Sequence, residues 1–66
     1  MQITINGEAT DVPAELDMRG LIEHLGLGGR RIAVEINREL VPRSQFDGHR
    51  LRDGDRVEII HAVGGG

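Results

Sequence analysis

The part of this sequence best suited to chemistry is its C-terminal end, which reads Gly64-Gly65-Gly66. Glycine has no Cβ, so a run of glycines can pass through a channel in which any other side chain would clash. Three residues of extended chain reach roughly 10 Å beyond the last predicted strand. This segment is suited to presenting the Gly66 carboxylate inside another protein's active site. A frayed end is the simpler interpretation of terminal glycines, but here the apolar strand pattern runs to Val63 without a polar linker.

The cysteine and histidine content of the chain argues against catalysis and metal binding. It contains no Cys, which excludes a cysteine nucleophile, a thiolate zinc site and a disulfide, and which is consistent with a reducing compartment. His24, His49 and His61 form no i, i+4 pair, so we expect no metal site. A domain of 66 residues also buries too little surface to enclose a substrate pocket. We therefore expect a protein that is not itself an enzyme and that binds no cofactor.

Charge and hydropathy narrow the choice of partners. The net charge of -3 and the single aromatic residue, Phe46, argue against nucleic acid, which calls for clustered positive charge or stacking platforms. No apolar run approaches about 18 residues, and the N-terminus lacks the pattern of a signal peptide. We therefore expect a cytoplasmic protein with no membrane or nucleic-acid partner. All eight of its basic side chains are arginine, so no side-chain amine is present to accept an isopeptide bond.

The elements that must position the C-terminal end begin with a predicted β-hairpin. Residues 2–6 and 8–12 read as strands, and Asn6-Gly7 between them is the strongest short-range signal for a two-residue turn. Phe46, in an irregular stretch, is expected to fill the core, and Asp53-Gly54-Asp55 is a predicted turn. Further strands are predicted at 32–37, at 40–41 before Pro42, and at 56–63.

A single helix is predicted between the second and third strands. Its apolar stripe recurs at helical spacing: Met18, Leu21, Ile22 and Leu25. Asp17 is the expected N-cap, with Leu16 before it as a hydrophobic staple, and Gly26 is expected to end the helix in a Schellman motif with Leu27. Gly20 lies inside the helix, where glycine costs about 1 kcal/mol relative to alanine, so either something packs closely against it or the first turn is weak.

The order β-β-α-β-β-β predicts an α+β fold of the β-grasp, or ubiquitin-like, class: a mixed sheet of four to five strands packed on one helix. Residues 1–63 form the predicted domain and residues 64–66 a flexible glycine tail. The whole chain resembles the ThiS family of sulfur carrier proteins in thiamine biosynthesis in five features. They are the N-terminal Met-Gln-Ile hairpin, the apolar stripe of the helix, the segment 37–46 with its Val-Pro-Arg, the turn 53–55 and the terminal diglycine. Gly64 stands where a residue with a side chain would be usual, which implies additional flexibility of the tail.

The resemblance implies a reaction at Gly66 and a set of protein partners. A ThiF-like adenylating enzyme would use ATP to convert the Gly66 carboxylate to an acyl-adenylate. Sulfur from a cysteine desulfurase relay would replace AMP, and a ThiG-like thiazole synthase would consume the resulting thiocarboxylate. Gly66 is then the attachment point, and Gly64 and Gly65 allow the tail to thread. The carrier is expected to be a monomer when free.

Alternation along the last strand predicts a surface for these partners. Val57 and Ile59 share one face, which we assign to the core. The opposite face then carries Glu58, Ile60 and Ala62, with Ile60 as an exposed aliphatic residue directly upstream of the tail. A bulge in the strand would shift the alternation and bury Ile60.

Two other interpretations remain open at this stage. Sulfur carriers for molybdopterin share the tail and mechanism, but they are typically longer, so length and the Val-Pro-Arg segment favour thiamine. A β-grasp interaction module, either RNA-associated or an adaptor, would make the glycines incidental. The acidic charge argues against the RNA version, and an apolar strand that runs into glycines argues against the adaptor version.

Overall fold

Five strands and one helix make up residues 1–61, the part of the chain that the structure, a computed structural model, describes. The strands are β1 (Gln2–Ile5), β2 (Glu8–Asp11), β3 (Ile32–Ile36), β4 (Glu39–Val41) and β5 (Arg56–His61), and the helix is α1 (Met18–His24). A 3₁₀ turn at Arg43–Gln45 follows β4. The predicted element order is confirmed. No helix in this part of the chain is long and apolar enough to cross a membrane.

The strands form one mixed sheet in the order β2-β1-β5-β3-β4. The central pair, β1 and β5, runs parallel, whereas the other neighbours run antiparallel. The predicted core faces are confirmed, because Ile3, Val34 and Val57 are fully buried and Phe46 is buried as expected. β4 lies at an edge, as Pro42 after it predicted. The last two residues predicted for the final strand, the domain boundary at Val63 and the tail 64–66 lie outside the described residues.

The helix begins where the sequence predicts, because Asp17 caps it. One carboxylate oxygen of Asp17 accepts a hydrogen bond from the Gly20 N–H at 2.8 Å, and the other accepts from the Gly48 N–H at 3.2 Å. These two backbone donors favour the ionised form and lower the pKa of Asp17 below its ordinary range. The cap therefore ties the start of α1 to the loop that follows the 3₁₀ turn.

The helix ends in the predicted Schellman motif. Gly26 has a φ of +73°, its N–H donates to the Glu23 carbonyl at 3.0 Å, and the Leu27 N–H donates to the Ile22 carbonyl at 2.9 Å. The structure also explains Gly20. A Cβ there would lie 2.8 Å from Cδ1 of Leu16 and 3.2 Å from Oδ1 of Asp17, so glycine lets Leu16 close over the first turn beside the cap.

The side chain of Asn6 connects the end of β1 to the middle of β5. Its side-chain amide donates to the Ile59 carbonyl at 3.2 Å, and its side-chain oxygen accepts from the Ile59 N–H at 2.8 Å. The side chain thus substitutes for a peptide group and extends the parallel pairing of β1 and β5 by one residue, since the Asn6 N–H donates to the Val57 carbonyl. These bonds hold Ile59 in register, and with it the alternation of β5.

The turn between β3 and β4 places Asn37 and Arg38 in the left-handed region, with φ of 51° and 71°. Asparagine tolerates this conformation, whereas in a residue with a larger side chain it costs about 1 to 2 kcal/mol. Glycine adopts the conformation without that cost, but it loses more backbone entropy on folding than other residues do. We expect Arg38→Gly to raise the free energy of unfolding by about 0.5 to 1 kcal/mol.

Urea unfolding followed by far-UV circular dichroism measures this change, because the chain has no Trp or Tyr to report by fluorescence. Arg38→Ala is the matched control. It removes the same charge but keeps a Cβ, so it should not stabilise the protein. Equal stabilisation by both variants would mean that the charge, and not the backbone conformation, is responsible.

Candidate functional site

The end of β5 presents one aliphatic side chain to solvent. Val57 and Ile59 are buried against the helix, with 0% and 5% of their surfaces exposed, whereas Ile60 is 55% exposed. No bulge interrupts the pairing of β5 with β3, which runs without a break from Ile36↔Val57 to Ile32↔His61. The predicted exposure of Ile60 is therefore confirmed, and its contact with a partner stays a prediction.

Neighbouring strands extend this exposed surface, which we call the outer face of the sheet. It lies on the side away from α1, because the residues that alternate with it are buried. On β3 and β4, Ala33 is the register partner of Ile60, and Leu40 is the register partner of Glu35. Leu40 is 66% exposed, so the two exposed large apolar side chains of residues 1–61 both belong to this face. On β3, β4 and β5 the members of the outer face are Ala33, Glu35, Leu40, Arg56, Glu58 and Ile60.

An acidic pair lies between the two exposed aliphatic residues. Glu35 and Glu58 are register partners on adjacent antiparallel strands, and both are half-buried. Like charges placed directly opposite each other destabilise a sheet. Among the described residues neither carboxylate forms an ion pair, since the two ion pairs found there are Arg19–Asp47 and Arg50–Glu15. The outer face therefore combines apolar and acidic side chains in an arrangement that local stability does not favour.

The structure describes part of the predicted site. Glu58 and Ile60 lie on the outer face as expected, whereas Ala62, Gly64, Gly65 and Gly66 lie outside the described residues. Sequence reasoning did not single out Leu40. The signal was available, because Leu40 alternates with Val41, which is buried, directly after a two-residue turn. Within residues 1–61, no three His, Asp or Glu side chains come close enough together to hold a metal ion.

Two grooves open on the surface near the outer face. The larger, of about 700 Å³, runs between the edge strand β4 and the loop 48–52 and does not reach Ile60. The smaller, of about 290 Å³, lies on the outer face itself, next to the end of β5. It is lined by Arg31, Ile32, Ala33, Arg43 and Ile60. The smaller groove is therefore the one that contacts the exposed side chain of Ile60.

A mixed five-strand sheet with parallel central strands, one packed helix and an exposed face beside the end of the last strand defines a β-grasp domain. Residues 2–66 match the sequence profile of the ThiS family. The chain belongs to that family. It is 33% identical over 66 residues to the "Sulfur carrier protein ThiS" of Escherichia coli (strain K12), and the match covers the whole of both chains.

A solved structure and a group of longer proteins are also similar to this chain. The crystal structure of the thiamine biosynthesis protein ThiS from Geobacter metallireducens superposes with a TM-score of 0.86 at 33% identity, over the whole of both chains. The thiazole synthase of Paramagnetospirillum magneticum is 39% identical over 66 residues, which cover 20% of that protein. The chain thus spans about a fifth of the length of the thiazole synthase that it matches.

Proposed function

We propose that this protein is a sulfur carrier of thiamine biosynthesis that bears its sulfur on Gly66. The observation that carries the proposal is the match to the Escherichia coli sulfur carrier protein over the full length of both chains. The sequence supports it as well, because Gly64-Gly65-Gly66 come a few residues after Ile60, which is exposed near the end of β5. The proposal requires Gly66 to carry a free carboxylate.

In the proposed reaction the carrier contributes the Gly66 carboxylate and a glycine tail that can enter the partner's active site. A carboxylate oxygen of Gly66 attacks the α-phosphorus of ATP, which is bound by a ThiF-like adenylating enzyme, and pyrophosphate leaves. The persulfide sulfur of a cysteine desulfurase relay then displaces AMP from the carbonyl carbon to give an acyl disulfide, and a thiol reductant cleaves its S–S bond to leave the thiocarboxylate. ATP is thus a substrate of the partner and not a cofactor of this chain. The acid-base chemistry of both steps falls to the partners.

Thiazole synthase is the proposed acceptor of the sulfur. The similarity of this chain to a fifth of the length of two thiazole synthases supports a relationship between the carrier and that enzyme. The outer face is the proposed surface for both partners, through Glu58 and Ile60, and Ala62 is a further proposed contact because it follows this strand in the chain. Gly64 and Gly65 allow the tail to enter each active site because they have no side chains.

Intact-mass analysis tests the proposed modification. After incubation with a purified ThiF-like enzyme, ATP and a sulfur source, we expect Gly66 to exchange one oxygen for sulfur and the chain to gain about 16 Da. Oxidation of Met1 or Met18 to the sulfoxide adds about the same mass, so fragmentation must localise the change to the last residue.

The lack of cysteine provides a second readout. Iodoacetamide under mild conditions alkylates thiols and thiocarboxylates, and this chain has no Cys to compete. We expect ATP-dependent alkylation at Gly66 and none in a variant that lacks Gly66. A mass gain on methionine alone, or equal labelling of the shortened variant, would contradict the proposal.

A further inference from the structure

We infer that Arg31 and Arg43 form a basic edge that docks against an acidic rim on the protein partner that receives the C-terminal glycines. This inference rests on the proposed function and adds the charge that the partner must present. Both arginines line the 290 Å³ groove together with Ala33 and Ile60. We call these two arginines the basic edge.

The basic edge lies at the end of β5. The groove lies where Ile32 pairs with His61 and Ala33 with Ile60, at the end of β5. Residue 62 follows His61 directly in the chain, so a partner that holds the glycines must approach this end of the domain. Arg31 precedes β3 and Arg43 follows β4, so the two side chains come to the groove from separate segments.

One of the two arginines is held in position. Nη2 of Arg43 donates a hydrogen bond to the Arg30 carbonyl at 2.8 Å, which uses one of the five N–H donors of the guanidinium. Within the described residues neither Arg31 nor Arg43 takes part in an ion pair. Both side chains are exposed. A guanidinium that is fixed by a backbone carbonyl and lacks a carboxylate partner is ready to bind one from another protein.

Charge is separated along the outer face. The chain as a whole is acidic, with a net charge of -3. The Glu35 and Glu58 pair lies two residues along the strands from Ala33 and Ile60, a distance of roughly 7 Å. Arg31 and Arg43 therefore place positive charge at the end of β5, whereas the middle of the face is acidic and Arg56 places positive charge at the start of β5. Positive charge at the end of β5 favours the approach of an acidic surface to that end of the domain.

The chemistry of the groove favours a protein surface over a nucleic acid. Ile60 and Ala33 form an apolar centre and the arginines form a charged rim, which is the usual composition of a protein interface. A nucleic-acid site would need more positive charge and exposed aromatic rings, whereas the one aromatic side chain, Phe46, is buried. The expected partner surface is an apolar patch flanked by Asp and Glu side chains.

Charge reversal at Arg31 tests the inference. We expect Arg31→Glu to lower the association rate constant with the ThiF-like enzyme about tenfold at low ionic strength and to reduce the salt dependence of that rate. Arg38→Glu is the matched control, because Arg38 is also exposed, lies at the other end of β3 and changes the net charge equally. Its rate should stay within about twofold of the wild type. Arg43→Gln, which neutralises the second arginine, should lower the rate in the same direction as Arg31→Glu.

Each other outcome overturns the inference. If Arg31→Glu and Arg38→Glu slow association equally, only the net charge matters; if neither does, the basic edge makes no contact. Tighter binding of the wild type to a mixed-sequence single-stranded oligonucleotide than to the enzyme would assign the arginines to nucleic acid. If the Arg31→Glu variant associates at the wild-type rate and its Gly66 is loaded with sulfur normally, the inference about the basic edge is wrong and the proposed function stands. If the wild-type protein neither binds the ThiF-like enzyme nor is loaded with sulfur, the inference and the proposed function are both wrong.

Discussion

Replacement of Gly65 with valine is expected to reduce ATP-dependent adenylation of the chain by about 100-fold or more, because a small displacement of a reacting group at an active site costs that much in rate. Valine adds a β-branched side chain and restricts φ and ψ at a position that, in the proposed function, threads through the partner's active site. Pyrophosphate release by the adenylating enzyme measures the rate. Gly65→Ala, which adds one methyl group, should have a smaller effect in the same direction.

A glycine elsewhere in the chain provides the control for this substitution. No atom lies within 4 Å of where a Cβ on Gly28 would sit, and its φ is not in the left-handed region. Gly28→Val should therefore be adenylated at the wild-type rate. Far-UV circular dichroism should show the same unfolding transition for Gly65→Val and the wild type. If Gly65→Val were adenylated normally, the terminal glycines would have no threading role.

Replacement of Ile60 with serine is expected to weaken binding to the adenylating enzyme or to thiazole synthase about tenfold, which is the effect of truncating an apolar residue near the centre of an interface. Because Ile60 is 55% exposed in the free protein, the free energy of unfolding should change by no more than about 0.5 kcal/mol. Isothermal titration calorimetry gives the affinity, and urea unfolding gives the stability.

The preceding residue is the matched control. Ile59 is 5% exposed, and Ile59→Ser would leave a cavity and bury a hydroxyl, at a cost of about 3 kcal/mol or more. That is a large part of the roughly 3 to 10 kcal/mol available to a domain of this size. The same substitution at adjacent positions should thus affect binding at one and folding at the other. A destabilised Ile60→Ser variant that still binds its partner would assign the contact to another part of the outer face.

The acidic and apolar character of the outer face emerged only partly from the sequence. Alternation along β5 predicted that Val57 and Ile59 are buried and that Ile60 is exposed. It did not predict that Leu40 belongs to the same face, nor that Glu35 lies opposite Glu58. Those relations depend on which strands are neighbours, and the alternation within one strand carries no information about its neighbours.

Local interactions explain what the sequence by itself determined. The cap at Asp17, the Schellman motif at Gly26 and the turn at Asn6-Gly7 each involve residues within five positions of one another, so residue type and spacing are enough to specify them. The period of the apolar residues likewise specified the helix and the buried face of each strand. The three terminal glycines predicted a reactive tail only in combination with the β-grasp pattern that precedes them, and the reaction itself was implied by the family resemblance.

Tertiary structure alone decided the features that join distant segments. The side chain of Asn6 bonds to the backbone of Ile59 across 53 positions, and this contact exists only because β1 and β5 lie side by side in parallel. Arg31 and Arg43 line one groove with Ile60 because the sheet places β5 next to β3 and β4 beyond it. Strand order is set by the free energy of packing the whole sheet on its helix, so the sequence pattern of a single element does not reveal it.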